Sequence, residues 1–182
     1  MDRESMDERF FKALQFAARR HTSQRRKGGK DVPYINHPID VATQLVTVGG
    51  ISDPAVLAAA LLHDTVEDTD TTPQELEHEF GADVAALVAE VTDDDSLTSA
   101  ERKLKQEVEA PTKSPRAKLI RLADKTCNVR DITNHPPPSW SIERRRAYFD
   151  WAGRVVAALG RVHPALEKDF AEALARAKQS VA

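Results

Sequence analysis

The sequence predicts an all-α protein that folds as a single domain. Apolar residues recur at helical spacing along most of the chain, and no segment alternates apolar and polar residues long enough to predict a strand. The 182 residues are 41% hydrophobic and 30% charged, a globular balance with enough interior for one core. There is no internal repeat and no sign of a second-domain boundary. Residues 1–182 are therefore expected to form one domain.

The first two helices are predicted from an apolar stripe and from helix-ending residues. An amphipathic opening helix is followed by a polar, basic loop over residues 22–32. The next helix is expected to begin near Pro38 and to end at Gly49-Gly50. The stripe of the opening helix consists of Phe10, Leu14, Ala17 and His21.

The third helix is expected to lie at the centre of the protein. Asp53 and Pro54 form an N-cap and a first-turn proline. Residues 55–62 are then apolar on every side of the helix, and such a helix is buried.

Shorter, more polar helices follow this central one. Residues 72–75 (TPQE) have a capping-box pattern that opens a helix ending near Gly81, and another helix covers about residues 82–91. An acidic loop is predicted over residues 93–99, and a solvated helix over residues 101–109.

The last three helices are predicted from similar signals. Ser114-Pro115 opens a helix that reaches about Ile132, and a proline-rich loop follows it. Two closing helices, separated by Gly160, are expected at about residues 141–159 and 164–178.

Charge and cysteine content exclude several classes of protein. The net charge of −3 gives no overall positive field for nucleic acid or acidic membranes. The single Cys127 excludes a disulfide framework within the chain and a cysteine-based zinc site. The polar N-terminus has no apolar signal core, and the longest apolar run is too short to span a bilayer. We expect a cytoplasmic protein.

Polar residues in apolar surroundings mark a candidate metal site. His63 and Asp64 end the apolar third helix, His37 lies next to the start of the second helix, and Asp124 lies within a helix predicted to be buried. A buried carboxylate needs a partner, which can be a metal ion or an arginine. For His63-Asp64 alone, a helix end that emerges into water explains the pattern equally well. Together the residues form a nitrogen and oxygen ligand set that suits manganese, iron or zinc.

Acidic and amide side chains follow these candidate ligands at helical spacing. If the helix or its last turn continues, Glu67 and Asp68 lie one turn from His63 and Asp64 and can deprotonate a metal-bound water. The alternative is that they are solvated loop acids. Asn128, one turn beyond Asp124, is either a ligand contact or a surface amide.

Two basic segments are candidates for binding an anion. The loop at residues 24–30 (QRRKGGK) contains arginines that can stack on a base or pair with phosphate. Arg144 and Tyr148 share a helix face one turn apart and can also hold a phosphate or a base. Short basic runs are most often solvated. Packing is the favoured role of Trp140, Trp151 and Cys127, and a surface or packing role that of His78, His135 and His163.

In combination, these motifs resemble the HD superfamily of metal phosphohydrolases. Within that superfamily the chain is similar to the hydrolase domain of RelA/SpoT proteins, over about residues 10–159. The motifs that carry the resemblance are Gln24–Lys27 (QRRK), Pro33–Pro38 (PYINHP), Leu62–Thr69 (LHDTVEDT), Lys118–Lys125 (KLIRLADK) and Asn128–Asp131 (NVRD). The chain has no room for a synthetase domain, so it resembles the small alarmone hydrolases, such as the metazoan SpoT homologues.

This resemblance implies an HD-type helical bundle and a role for each motif. It implies one manganese ion, and hydrolysis of the 3′-pyrophosphate of (p)ppGpp, the alarmone of the stringent response, to GDP or GTP. Glu67 and Asp68 would activate or position the attacking water. Arg26 would lie against the guanine and Lys27 near the phosphates. The implied metal ligands are His37, His63, Asp64 and Asp124, and the further substrate contacts are Asn128, Arg144 and Tyr148.

One loop differs from the pattern of the relatives, and this difference leaves the identity of the substrate undecided. Relatives can carry a lysine in the loop that corresponds to residues 93–100, and this chain has none there. Preference for ppGpp, pppGpp or (pp)pApp is therefore undecided, and another nucleotide such as NADPH stays an alternative. So does a non-catalytic, nucleotide-binding or antitoxin-like protein. The sequence does not determine the oligomeric state.

Overall fold

The computed structural model describes residues 6–28 and 31–182, and this part of the chain is a bundle of helices. It contains no strand; an isolated antiparallel bridge joins Arg25 to Pro33. The all-α prediction is confirmed. In chain order the helices are α1 (Met6–Arg20), α2 (Asn36–Thr47), α3 (Pro54–Leu62), α4 (Thr65–Asp68), α5 (Pro73–Phe80), α6 (Ala82–Val91), α7 (Ser99–Glu109), α8 (Pro115–Asn134), α9 (Ile142–Leu159) and α10 (Pro164–Gln179), with a 3₁₀ turn at Ala110–Thr112.

Helix α3 lies at the centre of the bundle, as its uninterrupted apolar sequence predicted. Every residue from Ala55 to Leu62 is buried. Helices α1, α2, α6 and α8 pack around it, and α9 and α10 pack against α8. Because α8 contacts both α2 and α3, His37 of α2, His63 directly after α3 and Asp124 of α8 are brought close together.

Side-chain caps begin several helices at the residues that the sequence indicated. Asp53 accepts from the backbone N–H of Ala55 at 2.9 Å, and Ser114 accepts from that of Ala117 at 3.2 Å. A complete capping box is found at Thr98 and Glu101 instead of at residues 72–75. At the predicted place Thr72 caps α5, but the carboxylate of Glu75 pairs with Arg20.

Three helix boundaries differ from the sequence prediction. Helix α2 begins at Asn36, so His37 lies inside its first turn and Pro38 is its third residue. Helix α7 begins at Ser99, because Thr98 supplies the cap, and α8 continues to Asn134.

Part of the sequence prediction concerns residues outside the described ones. The glycine and lysine at positions 29 and 30 of the basic loop, and the start of the polar N-terminus at residues 1–5, belong to this group. Among the described helices, none combines the length and apolarity that crossing a membrane requires.

Candidate active site

The four predicted metal ligands come from three places in the bundle and lie close together; His37, His63 and Asp124 form a group that one ion could contact, and Asp64 lies beside the two histidines. His37 lies in the first turn of α2, and Asp124 lies in the middle of α8. His63 and Asp64 form the turn between α3 and α4. The core helices α2, α3 and α8 are in mutual contact, and their packing brings the ligands together.

Helix α3 ends just before His63 and Asp64, so these two residues lie in the turn between α3 and α4 and their side chains belong to the ligand cluster. The apolar helix ends at Leu62, whose carbonyl accepts from Thr65 Oγ1 at 2.7 Å. The chain then resumes helical hydrogen bonding, because the N–H of Asp68 donates to the carbonyl of Asp64 at 2.9 Å. The last turn therefore continues as α4, and Glu67 and Asp68 lie one turn from the histidine and aspartate.

The distances between these side chains are those of a compact cluster. His37 Nε2 lies 3.2 Å from Asp124 Oδ1 and 3.7 Å from Asp64 Oδ2. His63 Nε2 lies 3.1 Å from Asp64 Oδ2 and 3.8 Å from Asp124 Oδ1. Ligand atoms of His37, His63 and Asp124 all lie within 4.8 Å of one another, so one ion can reach all three.

The tautomer of His63 and the types of side chain in the cluster are also suited to binding a metal ion. Nδ1 of His63 lies 2.7 Å from the carbonyl of Ala60, a contact in which only Nδ1 can donate. When the ring is neutral its lone pair is therefore on Nε2, the buried atom that faces the carboxylates of Asp64 and Asp124. Two imidazoles and two carboxylates suit a borderline divalent cation. The residues therefore fit a divalent metal site.

Within the cluster, the negative charges of the Asp64 and Asp124 carboxylates are balanced by a proton on His63. Burial lowers the pKa of His37. Burial acts in the same direction on His63, but the carboxylates of Asp64 and Asp124 outweigh it and raise the pKa of His63 to about 9. Burial disfavours both carboxylates, yet their cationic neighbours hold the pKa of Asp64 and of Asp124 below the usual range. A metal ion binding here competes with a proton on His63.

Lys125 and Asn128 orient the carboxylate of Asp124. Lys125 Nζ lies 3.0 Å from Oδ2, and Asn128 Nδ2 donates to Oδ1 at 2.5 Å. The ammonium of Lys125 is buried and lies 4.8 Å from the ring centre of Trp151. With Oδ2 engaged by the lysine, Oδ1 faces the two imidazoles. Sequence reasoning assigned no role to Lys125, although a lysine inside a buried helix is a usable signal.

Tyr34 orients the carboxylate of Asp64. Its hydroxyl donates to Asp64 Oδ2 at 2.7 Å, and its burial together with this carboxylate raises the pKa of the phenol. The hydroxyl therefore stays protonated and remains a donor. Tyr34 was part of a motif in the sequence, but nothing in the sequence alone connected it to Asp64.

The predicted acids Glu67 and Asp68 lie beside the ligand cluster. Glu67 Oε2 accepts from the backbone N–H of Asp93 at 3.3 Å, and Asp68 Oδ2 accepts from Gln24 Nε2 at 2.9 Å. Burial, followed by the carboxylates of Asp93 and Asp64, raises the pKa of Glu67 to about 7. Its carboxylate can therefore take and release a proton near neutral pH.

These acids and the basic loop face each other across one pocket of about 260 Å³. The acidic wall contains Asp64, Glu67 and Asp68. The other walls come from the loop after α1, from α8 and from the start of α9, and they include Gln24, Arg26, Lys27, Gly28, Tyr34, Asn128, Asp131, Trp140 and Tyr148.

Arg26 is fixed in the wall of this pocket. Its guanidinium donates to Asp131 at 2.6 Å and to Asn128 at 2.9 Å, and its carbon atom lies 5.4 Å from the ring centre of Tyr34. The loop also touches the end of α8 at Gly28, where an added Cβ would lie 1.8 Å from the carbonyl oxygen of His135. Lys27, by contrast, is exposed at the pocket.

The far end of the pocket is aromatic and basic. Tyr148 and Trp140 line it with ring centres 5.7 Å apart, so Trp140 belongs to the pocket and is more than the packing residue that the sequence indicated. Arg144 is exposed and stands beside the lining, 4.4 Å from the ring centre of Trp140. Lys103 of α7, which sequence reasoning missed, lies 5.9 Å from the ring of Tyr148 and has no carboxylate partner among the described residues.

The helical bundle and its His, His-Asp, Asp cluster define a class of protein. A family model described as "HD domain" matches residues 13–149, which include all four candidate ligands. The chain belongs to the HD domain family.

Within this family, individual relatives and a solved structure are similar to nearly the whole chain. The chain is 54% identical over 156 residues to the guanosine-3′,5′-bis(diphosphate) 3′-pyrophosphohydrolase MESH1 of Homo sapiens, covering 86% of this chain and 87% of the relative. The MESH1 protein of Drosophila melanogaster is 50% identical over 159 residues, covering 87% and 89%. A solved structure described as a metazoan orthologue of SpoT that hydrolyses ppGpp superimposes with a TM-score of 0.91 at 46% identity, covering 97% and 98%.

Proposed function

We propose that this protein is a metal-dependent guanosine-3′,5′-bis(diphosphate) 3′-pyrophosphohydrolase, which hydrolyses (p)ppGpp to GDP or GTP and pyrophosphate. Relatives with this activity in their names share about half of the aligned residues over nearly the whole chain. The observation that carries the proposal is the cluster of two imidazoles and two carboxylates, which adjoins the pocket through Asp64, one of the residues that line it opposite the basic loop.

The metal is proposed to be one manganese ion held by His37, His63, Asp64 and Asp124. Such an ion lowers the pKa of a bound water and polarises a phosphoryl oxygen. Tyr34 and Lys125 support this role, because each contacts one of the two ligand carboxylates and so fixes its orientation.

Glu67 and Asp68 are proposed to position the attacking water and to take its proton. The raised pKa of Glu67, about 7, is suited to proton transfer near neutral pH. Asp68 accepts a hydrogen bond from Gln24, which holds its carboxylate at the wall of the pocket.

The nucleotide is proposed to lie along the pocket with its 3′-pyrophosphate toward the acids. Arg26 presents its guanidinium to the base, and Lys27 meets the phosphates. Asn128 and Tyr148 contact the ribose and phosphate portion. Arg144 and Lys103 add positive charge at the far end, where the basic residue expected in the loop before α7 is lacking.

The direct test is pyrophosphate release from ppGpp by the purified protein with Mn²⁺. We expect turnover by the wild type and at least a thousandfold loss in Asp64→Ala, since the change removes a ligand. A panel containing pppGpp, (pp)pApp and NADPH measures substrate preference. Binding of ppGpp without any turnover, whichever divalent metal is added, would identify a nucleotide-binding protein instead.

A further inference from the structure

A chain of side-chain hydrogen bonds runs from the interior of the bundle to Asp68. His21, which follows α1 directly, is 1% exposed, and its Nδ1 lies 2.5 Å from Gln24 Oε1. The amide nitrogen of Gln24 donates to Asp68 Oδ2 at 2.9 Å. In the proposed function Asp68 acts on the attacking water, and His21 has no role.

The carboxylate of Asp68, at the end of this series of hydrogen bonds, determines which atom donates in each of them. An ionised carboxylate only accepts, so the NH₂ of Gln24 must face Asp68 and its carbonyl oxygen must face His21. That oxygen also only accepts. His21 must therefore carry a proton on Nδ1 and donate it to Gln24.

Packing alone does not explain a histidine at this position. Nε2 of His21 is buried and has no hydrogen-bond partner among the described residues, an arrangement that costs stability. A leucine would fill the space without this cost. The hydrogen bond from Nδ1 to Gln24 is the contribution that a leucine could not make.

The same short segment also supports Asp64. The rings of His21 and Tyr34 stack with centres 4.9 Å apart and planes tilted by 32°, and the hydroxyl of Tyr34 donates to Asp64. Backbone hydrogen bonds connect the N–H of Gln24 to His21 at 3.0 Å and the N–H of Tyr34 to Gln24 at 3.1 Å. Two side chains of this segment, Gln24 and Tyr34, therefore donate hydrogen bonds to Asp68 and Asp64 respectively.

We propose that His21 is a positioning residue that holds Asp68 in place through the side-chain amide of Gln24. The inference rests on the proposed function, in which Asp68 acts on the attacking water. By fixing the amide with its NH₂ toward the pocket, His21 ensures that the carboxylate is met by a donor. A flipped amide would instead turn its oxygen toward Asp68 and repel it.

Two substitutions at position 21 separate this role from packing. His21→Leu keeps apolar volume but removes the donor, and we expect kcat with ppGpp to fall by about tenfold or more while KM changes little. His21→Asn leaves a cavity but places an amide N–H near the position of Nδ1, and it should recover most of the lost kcat although it is the less stable variant. A ranking of kcat that follows thermal stability instead would overturn the proposal.

A double-mutant cycle tests the route through Asp68. In an Asp68→Ala background, the proposal predicts that His21→Leu lowers kcat no further, because the group that it positions is gone. Independent, additive losses would contradict it. The matched control is His78→Leu, the same change at an exposed histidine outside the pocket, which should leave both kcat and KM unchanged.

The tautomer of His21 can be measured without any turnover. Long-range ¹H–¹⁵N NMR spectra, with the signal assigned from its loss in His21→Asn, should show a ring protonated at Nδ1. Gln24→Leu should reduce that preference. A ring that carries its only proton on Nε2 overturns the positioning role. Absence of ppGpp turnover by the wild type would instead reject the proposed function, while the tautomer measurement would still decide whether the hydrogen-bond chain exists.

Discussion

At the scale of single residues, the candidate metal site is a set of side chains whose charges depend on one another. His63 holds a proton because Asp64 and Asp124 face it, and both carboxylates stay ionised because cationic groups face them. Neighbours of the ligands, Tyr34 and Lys125, then fix the orientation of the two carboxylates. The properties of the site therefore belong to the cluster and to no single ligand.

Metal affinity is expected to rise with pH up to about 9, by about tenfold per pH unit, because the metal must displace the proton on His63. The raised pKa of His63 also stabilises the metal-free fold below the ordinary value of 6.5, and this contribution is lost as the pH rises through about 9. Calorimetric titration of chelator-treated protein with Mn²⁺ at two pH values, in buffers of different ionisation enthalpy, measures the affinity and the proton release. Equal affinities at pH 7 and 8.5 would show that His63 is not protonated.

Lys103 is expected to contribute to binding of the substrate phosphates at the far end of the pocket. Lys103→Ala should raise KM for pppGpp by about tenfold at low salt with little change in kcat, and the effect should shrink as salt screens this partly exposed charge. Lys105→Ala on the same helix is the matched control, because that lysine pairs with Asp94 and Glu109 away from the pocket. Equal effects of both substitutions on KM would argue against a specific contact.

At the scale of the structural elements, the loop after α1 is the piece that completes the pocket. It is attached to α8 through Arg26, which bonds Asp131 and Asn128, and through Gly28, which touches the carbonyl of His135. The basic wall is therefore held against α8, the helix that carries Asp124.

Gly28→Ala should displace this loop, because its Cβ would lie 1.8 Å from a backbone oxygen that cannot easily move. We expect KM for ppGpp to rise by about tenfold, with only a small change in thermal stability since the loop lies outside the core. Gly153→Ala in α9 is the control. It meets only the end of a flexible Leu174 side chain and should leave KM unchanged. Similar kinetics for both variants would mean that the loop adapts without cost.

At the scale of the whole molecule, the candidate metal site joins separate parts of the core. Its ligands come from α2, from the turn after α3 and from α8, which are brought together only in the folded state. A metal ion that binds them therefore stabilises the fold as a whole.

We expect Mn²⁺ at about a hundred times its Kd to stabilise the protein by about 2.7 kcal/mol. This corresponds to a rise in Tm of about 5–10 °C for a chain of this size. Differential scanning calorimetry with and without metal measures the shift. Asp124→Asn, which keeps the shape of the side chain but weakens a ligand, should lose most of it. The same shift in the wild type and in this variant would place the metal elsewhere.

The helices could largely be predicted from the sequence because their signals are local. The apolar run of α3, the cap at Asp53 and the Ser-Pro start of α8 each act within a few residues, and each was found where it was predicted. The boundaries that moved, at Asn36 and Ser99, depend on turn geometry and on which threonine finds a reciprocal partner. The extent of the single domain and the cellular location stay predictions.

The sequence by itself determined the kinds of ligand group, their order and the family resemblance, because residue types and spacings are written in it directly. Only the tertiary structure decided which groups meet. The contacts of Tyr34 with Asp64, Gln24 with Asp68 and Arg26 with Asp131 span 30, 44 and 105 residues of chain. Such contacts follow from how α1, α3 and α8 pack, and packing depends on the summed burial of the whole core, which no local pattern contains.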